Sequence, residues 1–229
     1  MTSRAGSPLP ARDAYRLWAP TYGTENPVTA LDQVAIEKLT PPLAGLSLLD
    51  AGCGTGRRLP DPVPAGPKFV VGIDLVREML AAGRNQRPDT CLVAGDLEAL
   101  PITRDTFDVV WCRLAIGHLA AIAPVYRELA RIARPGARLI VTDFQPAAIH
   151  AGYIRSFRDA SGNRCVVEHH VHEPLDHEQA AARTGLSLEA RLDLCVGPEV
   201  RQFYENAERP ALYERQRGLP VVLALRFAR

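Results

Sequence analysis

The chain has 229 residues, of which 47% are hydrophobic and 23% charged, so it is long enough for one domain with a sizeable core. Its 27 basic and 26 acidic side chains give a formal net charge of +1, which argues against a general attraction to nucleic acid or to an anionic membrane. The five scattered cysteines form no C-x-x-C pair, which favours reduced thiols over a disulfide framework or a zinc site. Because no apolar run has the length of a membrane span or of a secretory leader, we expect a cytoplasmic protein without membrane association.

The first 29 residues combine a polar start with a short aromatic segment. Tyr15, Trp18 and Tyr22 have the spacing of a short helix. These side chains either pack onto the domain or form a lid that places a tyrosine over a ligand. The apolar spacing over residues 30–39 predicts a second helix, which two prolines end.

The stretch 48–56 reads Leu-Leu-Asp-Ala-Gly-Cys-Gly-Thr-Gly and predicts the end of a buried strand followed by a sharp turn. Alternate glycines let the backbone bend and approach a ligand with no Cβ in the way. A second apolar strand over 68–74 ends in Asp74, whose carboxylate can accept hydrogen bonds from ribose hydroxyls. This order of strand, glycine turn and acid-terminated strand predicts a nucleotide-type cofactor site in a doubly wound sheet.

The residues around the turn discriminate between cofactors. A dinucleotide fingerprint needs Gly-x-Gly-x-x-Gly, but here the third glycine comes one residue early, at Gly56, and a phosphate-binding P-loop would continue with Lys-Ser/Thr rather than Arg57-Arg58. Asp50 would repel a pyrophosphate and suits a cofactor with a charged amino group. S-adenosylmethionine (AdoMet) carries an amino group, a ribose and no phosphate. An NAD-dependent oxidoreductase is the alternative that these features disfavour.

With this turn the chain resembles the class I AdoMet-dependent methyltransferases of the ubiquinone/menaquinone-biosynthesis type, whose first motif looks like Leu-Asp-x-Gly-Cys-Gly-Thr-Gly. Three further stretches are similar to that family: Tyr-x-x-Trp-Ala-x-x-Tyr at 15–22, acid-x-x-x-x-Met-Leu at 74–80, and Arg-x-x-Arg-Pro-Gly-x-x-Leu-Ile-Val at 131–141. The resemblance implies an enzyme that transfers a methyl group from AdoMet to a small molecule and leaves S-adenosylhomocysteine.

The resemblance also implies cofactor contacts. Asp50 and the glycine turn would hold the methionine end, Asp74 the ribose, and Asp96 with Leu97, at the tip of a third strand over 90–94, the adenine. The candidate cofactor-binding residues are Tyr15, Tyr22, Asp50, Ala51, Gly52, Cys53, Gly54, Gly56, Asp74, Leu75, Met79, Asp96, Leu97 and Cys112.

A fourth strand over 107–112 leads to His118, just past the carboxyl edge of the sheet, where open α/β sheets bind ligands. The Asn/Asp-Pro-Pro-Tyr motif of DNA amino-methyltransferases and a Pro-Cys nucleophile are both missing here, which disfavours a nucleic-acid substrate. A helix over 122–132 and a fifth strand over 137–143 follow. We expect His118 to be the first candidate general base. Asp143, on the same edge, is either a catalytic candidate or a loop anchor.

Residues 147–174 do not fit the bare fold, and the turn 157–164 between short apolar segments predicts a β-hairpin-like insertion. Most of the histidines lie from here on. We expect His169 or His170 to face the methyl acceptor as a further candidate base, in an insertion that walls the substrate pocket; the alternative is an exposed strand with polar side chains. No Cys or acid motif with metal-ligand spacing accompanies them, so no metal site is predicted.

The complete prediction is a single methyltransferase domain over 1–229, with an N-terminal lid segment (1–29) and a substrate-side insertion (147–174). Its fold class is α/β, with a doubly wound, mostly parallel, seven-stranded sheet and an antiparallel last strand. Prolines after the glycine turn limit the usual next helix to a turn or two, and residues 200–217 form a helix or a second flap. The partner is a small-molecule acceptor whose O, N or C atom attacks the methyl group in line. We expect a monomer or homodimer; the alternative within this fold is a protein that binds AdoMet without transferring methyl.

Overall fold

The computed structural model describes residues 7–61 and 65–229. Its strands are β1 (Ser47–Ala51), β2 (Phe69–Asp74), β3 (Leu92–Ala94), β4 (Phe107–Arg113), β5 (Ala133–Phe144), β6 (Ser156–Arg158), β7 (Arg164–Val166), β8 (Ser187–Cys195) and β9 (Pro220–Ala228). A seven-stranded sheet has the order β3-β2-β1-β4-β5-β9-β8. β9 runs antiparallel to both of its neighbours, β5 and β8, whereas the other strand pairs of this sheet are parallel, which confirms the predicted sheet.

Helices cover both faces of this sheet. The α-helices of the described residues are α1 (Ala11–Trp18), α2 (Pro27–Leu39), α3 (Arg77–Gln86), α4 (Ala123–Ile132), α5 (Pro146–His150), α6 (Pro174–Ala182), α7 (Arg201–Asn206) and α8 (Pro210–Gln216). Leu49 of β1 belongs to the core with α4 and α6, whereas Leu48 belongs to the core with α2, α7 and α8. Every residue of β1 is buried, because a central parallel strand is covered on both faces.

The helix of one or two turns predicted after the glycine turn is not formed by the described residues. Described residues 52–61 form turns and no helix, since Pro60 and the prolines that follow it in the sequence do not support helical hydrogen bonds. Residues 200–217 fold as the two short helices α7 and α8. Tyr204 and Tyr213 bury themselves in the core beside α2, so this segment packs as part of the domain and is no flap.

The insertion after β5 contains the predicted hairpin, because β6 and β7 pair antiparallel between Ser156 and Val166. The N-terminal segment packs on it: Trp18 stacks on Phe157 with ring centres 4.7 Å apart, and Leu9 bridges to Val167. Helix α1 and the hairpin therefore form one layer. Residues 1–6 of the predicted lid segment lie outside the described residues.

Within 7–61 and 65–229, each helix is too short or too polar to span a bilayer.

Candidate active site

A cavity of about 340 Å³ lies at the carboxyl edge of the sheet, where β1, β2 and β4 end. Its size falls within the range of small-molecule sites. Helix α1 and the insertion cover it from above, and the glycine turn forms its floor. The predicted residues that line it are Tyr15, Tyr22, Asp50, Gly52, Cys53, Gly54, Asp74, Leu75, Asp96, Leu97 and His118.

The glycine turn is bent back against the neighbouring strands. The backbone N–H groups of Gly52 and Cys53 both donate to the Ile73 carbonyl, at 2.8 and 2.9 Å. Gly52 has a φ of +83°, and a Cβ at this position would lie 2.5 Å from the Cβ of Ala115. Only glycine satisfies both the dihedral angle and the space, so the backbone itself forms this part of the cavity wall.

Asp74 connects the glycine turn to the segment after β2. Its Oδ2 accepts the N–H of Gly54 at 2.8 Å and its Oδ1 accepts the N–H of Val76 at 2.8 Å. Burial raises the pKa of Asp74, and these backbone donors oppose that rise. Each carboxylate oxygen keeps further lone pairs, so Asp74 can also accept hydroxyl groups from a ligand in the cavity.

Asp50 faces the cavity with one oxygen unpartnered. The residue is only 3% exposed, and its buried Oδ1 has no hydrogen-bond partner among the described residues. Burial raises the pKa of Asp50 to about 7, with the Arg113 guanidinium opposing the rise. A buried carboxylate without a partner is costly, so this atom is ready to receive a cationic donor.

Arg113, at the end of β4, presents the opposite charge to the same cavity. Its Nε and Nη2 donate to Oδ2 of Asp32 in α2, at 3.1 and 2.7 Å, and Thr142 donates to Oδ1 of Asp32 at 2.6 Å. Nη1 of Arg113 is buried without a partner in the described part of the chain. The sequence reasoning missed both Arg113 and Asp32, although an acid within the apolar face of the predicted helix 30–39 was a signal.

Tyr15 and His118 form a hydrogen-bonded pair at the upper wall. The Tyr15 hydroxyl lies 3.1 Å from Nε2 of His118, and Nδ1 of His118 lies 3.2 Å from the Glu168 carbonyl oxygen. Because a carbonyl only accepts, Nδ1 carries the hydrogen, and Nε2 accepts from Tyr15. Burial, with the nearby Arg155 guanidinium, holds the pKa of His118 well below its usual value. His118 is therefore neutral and a weak proton acceptor.

Arg155, the residue before β6, enters the cavity from the insertion. Its guanidinium carbon lies 5.7 Å from the ring centre of Tyr15 and 5.6 Å from that of Phe144. Nη1 donates to the Leu114 carbonyl at 2.8 Å. Sequence reasoning missed this arginine, because it stands in an irregular segment without periodicity or motif.

Three predicted catalytic residues lie outside the cavity lining. Asp143 is 1% exposed, and its Oδ2 lies 3.5 Å from Nε2 of the buried His177. His169 packs against Gly117, and burial lowers its pKa to about 4. His170 is tied through its backbone N–H to the Gly117 carbonyl, at 2.7 Å. His169 and His170 lie behind the cavity wall because the segment that carries them folds against Gly117.

Four predicted cofactor residues also miss the cavity lining, namely Ala51, Gly56, Met79 and Cys112. Ala51 and Cys112 are fully buried, with their side chains in the core beside α4. Met79 packs under Gly54, and Gly56 packs on Leu92. Met79 thus supports the glycine turn from below. Within the described ranges, no three His, Cys, Asp or Glu side chains form a group that could hold a metal ion.

Comparison with known proteins identifies the family. The profile of the family described as "Methyltransferase domain" matches residues 49–141. A malonyl-[acyl-carrier protein] O-methyltransferase of Dechloromonas aromatica (strain RCB) is 31% identical over 201 residues, which cover 84% of this chain and 70% of the relative. The chain therefore belongs to the AdoMet-dependent methyltransferases, which confirms the predicted class and its cofactor and sets aside the NAD-dependent alternative.

Other similar proteins agree with this class. A demethylmenaquinone methyltransferase of Beutenbergia cavernae is 32% identical over 119 residues, about half of this chain and 49% of that relative. The crystal structure of an S-adenosylmethionine-dependent methyltransferase from Mesorhizobium loti superposes with a TM-score of 0.67 at 25% identity, covering 87% of this chain and 98% of that one.

The cavity fits the cofactor of this family. Asp50 and Arg113 both line this cavity with opposite charges, and each keeps one buried atom, Oδ1 of Asp50 and Nη1 of Arg113, without a partner among the described residues. The methionine end of AdoMet carries an ammonium and a carboxylate, which match this pair.

Proposed function

We propose that this chain transfers the methyl group of AdoMet to a small-molecule acceptor that binds beside Tyr15 and His118. The observation that carries the proposal is the pair of buried, unpartnered atoms, Asp50 Oδ1 and Arg113 Nη1, on one cavity. An α-amino acid group satisfies both atoms at once. A nicotinamide dinucleotide has no such group, and its pyrophosphate would face the Asp50 carboxylate.

The remaining cofactor contacts follow from position around the cavity. The carboxylate of Asp74, fixed by two backbone N–H groups, would accept the ribose hydroxyls. Asp96 would accept the exocyclic amine of adenine, and Leu97, which lies beside Gly52, would pack on the ring. Tyr22 would close the cofactor side from above.

For this reaction the protein mainly has to align the acceptor with the methyl group, and proton transfer matters less. When bound, AdoMet supplies a methyl group already activated by its sulfonium. The chain's own residues would hold the acceptor in line with that methyl group and exclude water. Tyr15 and His118 fix each other's orientation through one hydrogen bond. Because both residues line the cavity and both carry a titratable group, we propose that they contact the acceptor.

The wider organisation remains part of the proposal. Residues 1–29 and 147–174 would act as lid and acceptor wall of a single domain, which is supported by the stacking of Trp18 on Phe157. A cytoplasmic monomer or homodimer fits the five free cysteines. The relatives named above act on malonyl-acyl-carrier protein and demethylmenaquinone, and a small acceptor group would suit a cavity of this size.

Calorimetry with AdoMet, S-adenosylhomocysteine and NAD tests the cofactor assignment. We expect the first two to bind and NAD not to bind, and we expect Asp50→Asn to weaken AdoMet while Asp89→Asn, an exposed control, leaves it unchanged. Incubation with methyl-labelled AdoMet and a cell extract then tests transfer. Binding of NAD in place of AdoMet would overturn the cofactor site, whereas AdoMet binding without label transfer would favour the non-transferring alternative.

A further inference from the structure

The cavity contains more arginines than its cofactor needs. The arginines that line it are Arg12, Arg57, Arg58, Arg113 and Arg155. Three of them pair with carboxylates: Arg57 with Glu25, Arg58 with Glu25 and Asp32, and Arg113 with Asp32. Among the described residues, Arg12 and Arg155 form no ion pair, and Arg12 lies exposed at the start of α1. Arg155 is thus a half-buried guanidinium without a counter-charge.

The orientation of Arg155 is fixed although its charge is unpaired. One N–H donates to the Leu114 carbonyl, and the guanidinium lies near the rings of Tyr15 and Phe144. A guanidinium has five N–H donors in a rigid fork, so donors remain for a ligand. Glu168 also lines the cavity, but it is exposed and lies beyond ion-pair distance. The fork is therefore preorganised for an anion that the protein itself does not supply.

This anion is not the carboxylate of the cofactor. The unpartnered Nη1 of Arg113, on the same cavity as Asp50, already matches that group. Arg155 instead stands next to Tyr15, whose hydroxyl binds His118, and this is the pair that we propose as the contact to the acceptor. Its anion would therefore belong to the acceptor.

The state of His118 also favours an acceptor that is already an anion. Nε2 of His118 is already engaged by the Tyr15 hydroxyl, and burial holds the pKa of His118 well below its usual value. A neutral hydroxyl or phenol would need a base that this pair does not readily provide. A carboxylic acid is ionised at neutral pH without help.

We propose that Arg155 binds the carboxylate of the methyl acceptor, so that the acceptor is a carboxylic acid and the product its methyl ester. This inference rests on the proposed methyl transfer. A lone pair of one carboxylate oxygen forms the new bond to the methyl carbon while the carbon–sulfur bond breaks and its electron pair stays on sulfur. The charges of carboxylate and sulfonium cancel, and no proton moves. The neutral ester no longer pairs with Arg155, which favours its release.

The chemistry of the product provides the test. Wild-type protein is incubated with methyl-labelled AdoMet and the small-molecule fraction of an extract from cells that produce it, and the product is treated with mild base. A methyl ester releases its label as volatile methanol, whereas methyl ethers, amines and C-methyl products retain it. We expect volatile label. Base-stable label would overturn the inference even if no variant folds.

Substitution of the arginine gives a second, independent readout. We expect Arg155→Gln to lower the rate of volatile label by about 10- to 150-fold, the effect of losing a hydrogen bond to a charged group, and Arg155→Lys to restore part of it. Arg164→Gln, which removes an exposed arginine from the same hairpin, should match wild type. AdoMet affinity should be unchanged in all three.

The failures are distinguishable. Wild-type rates in Arg155→Gln would overturn the inference while leaving methyl transfer intact. AdoMet binding with no label transfer by any protein would contradict the proposed function itself, and the inference would fall with it.

Discussion

Asp50 and Arg113 lie on adjacent strands, line the same cavity and carry opposite charges, and each keeps one buried side-chain atom without a hydrogen-bond partner among the described residues. Arg113 is anchored from behind by Asp32, whereas Asp50 has no comparable anchor for its Oδ1. Leaving such groups without partners destabilises a fold. The arrangement is understandable if a zwitterionic ligand supplies both missing partners.

The first prediction concerns the pH dependence of cofactor binding. Because burial raises the pKa of Asp50 to about 7, the ligand-free protein holds a proton on Asp50 below that pH. An ammonium group prefers the carboxylate, so AdoMet affinity should rise about tenfold per pH unit between pH 5 and 7 and then level off. Calorimetry across this range checks the slope. Asp50→Asn should bind more weakly at pH 7.5 and show no such slope; a parallel slope in the variant would assign it to another group.

Whereas ionisation of Asp50 strengthens AdoMet binding, it lowers the stability of the ligand-free protein. The folded protein holds the Asp50 proton more tightly than the unfolded chain, whose carboxyl has an ordinary pKa of 3.8. Ionisation of Asp50 therefore destabilises the fold progressively as pH rises from about 4 to 7. We expect Asp50→Asn to melt above wild type at pH 8 and with it at pH 4. A variant that melts below wild type at pH 8 would contradict this sign.

A third prediction concerns the support beneath the glycine turn. Gly83 lies inside α3, and a Cβ there would come 2.0 Å from the carbonyl oxygen of Thr55. Gly83→Ala should therefore lower the free energy of unfolding by about 1–3 kcal/mol, as overpacking does, although alanine favours helices. Asn85→Ala, at an exposed position of the same helix, should be neutral or slightly stabilising. Urea unfolding of both variants measures the difference, and equal stabilities would show that the contact relaxes freely.

Local patterns predicted the sheet and the glycine turn because their signals lie within a few residues. Asp50 was predicted because it stands at a strand end just before the glycine turn, and Asp74 because it ends the next strand. Both residues line the cavity. The Arg113–Asp32 pair joins residues 81 apart in sequence, and Arg155 reaches a carbonyl 41 residues away. No periodicity encodes such contacts. Conversely, the resemblance placed Cys112 in the site by position alone, and the pleat of β4 turns its side chain into the core.

The fourth prediction separates two roles of Asp74. Its carboxylate holds the N–H groups of Gly54 and Val76 and would also bind the ribose. Asp74→Ala should weaken AdoMet binding by about 1–3 kcal/mol, the scale of lost buried hydrogen bonds. Asp74→Asn, which keeps one carbonyl oxygen, should lose less. Calorimetry of both variants measures this order, and an unchanged affinity in Asp74→Ala would remove the residue from the site.

The last prediction concerns Tyr15 and His118 during turnover. With the pKa of His118 held far below its usual value by burial and Arg155, His118 stays neutral, and kcat at saturating AdoMet should be flat from pH 6.5 to 8. Tyr15→Phe removes the hydroxyl that binds Nε2, and kcat should fall about 2- to 13-fold, the effect of one ordinary hydrogen bond, while AdoMet affinity is kept. Tyr153→Phe, which removes a hydroxyl bonded to Tyr204, should cost stability but leave kcat unchanged. A rise of kcat through pH 6.5 to 7 that disappears in His118→Gln would instead make His118 a freely titrating base.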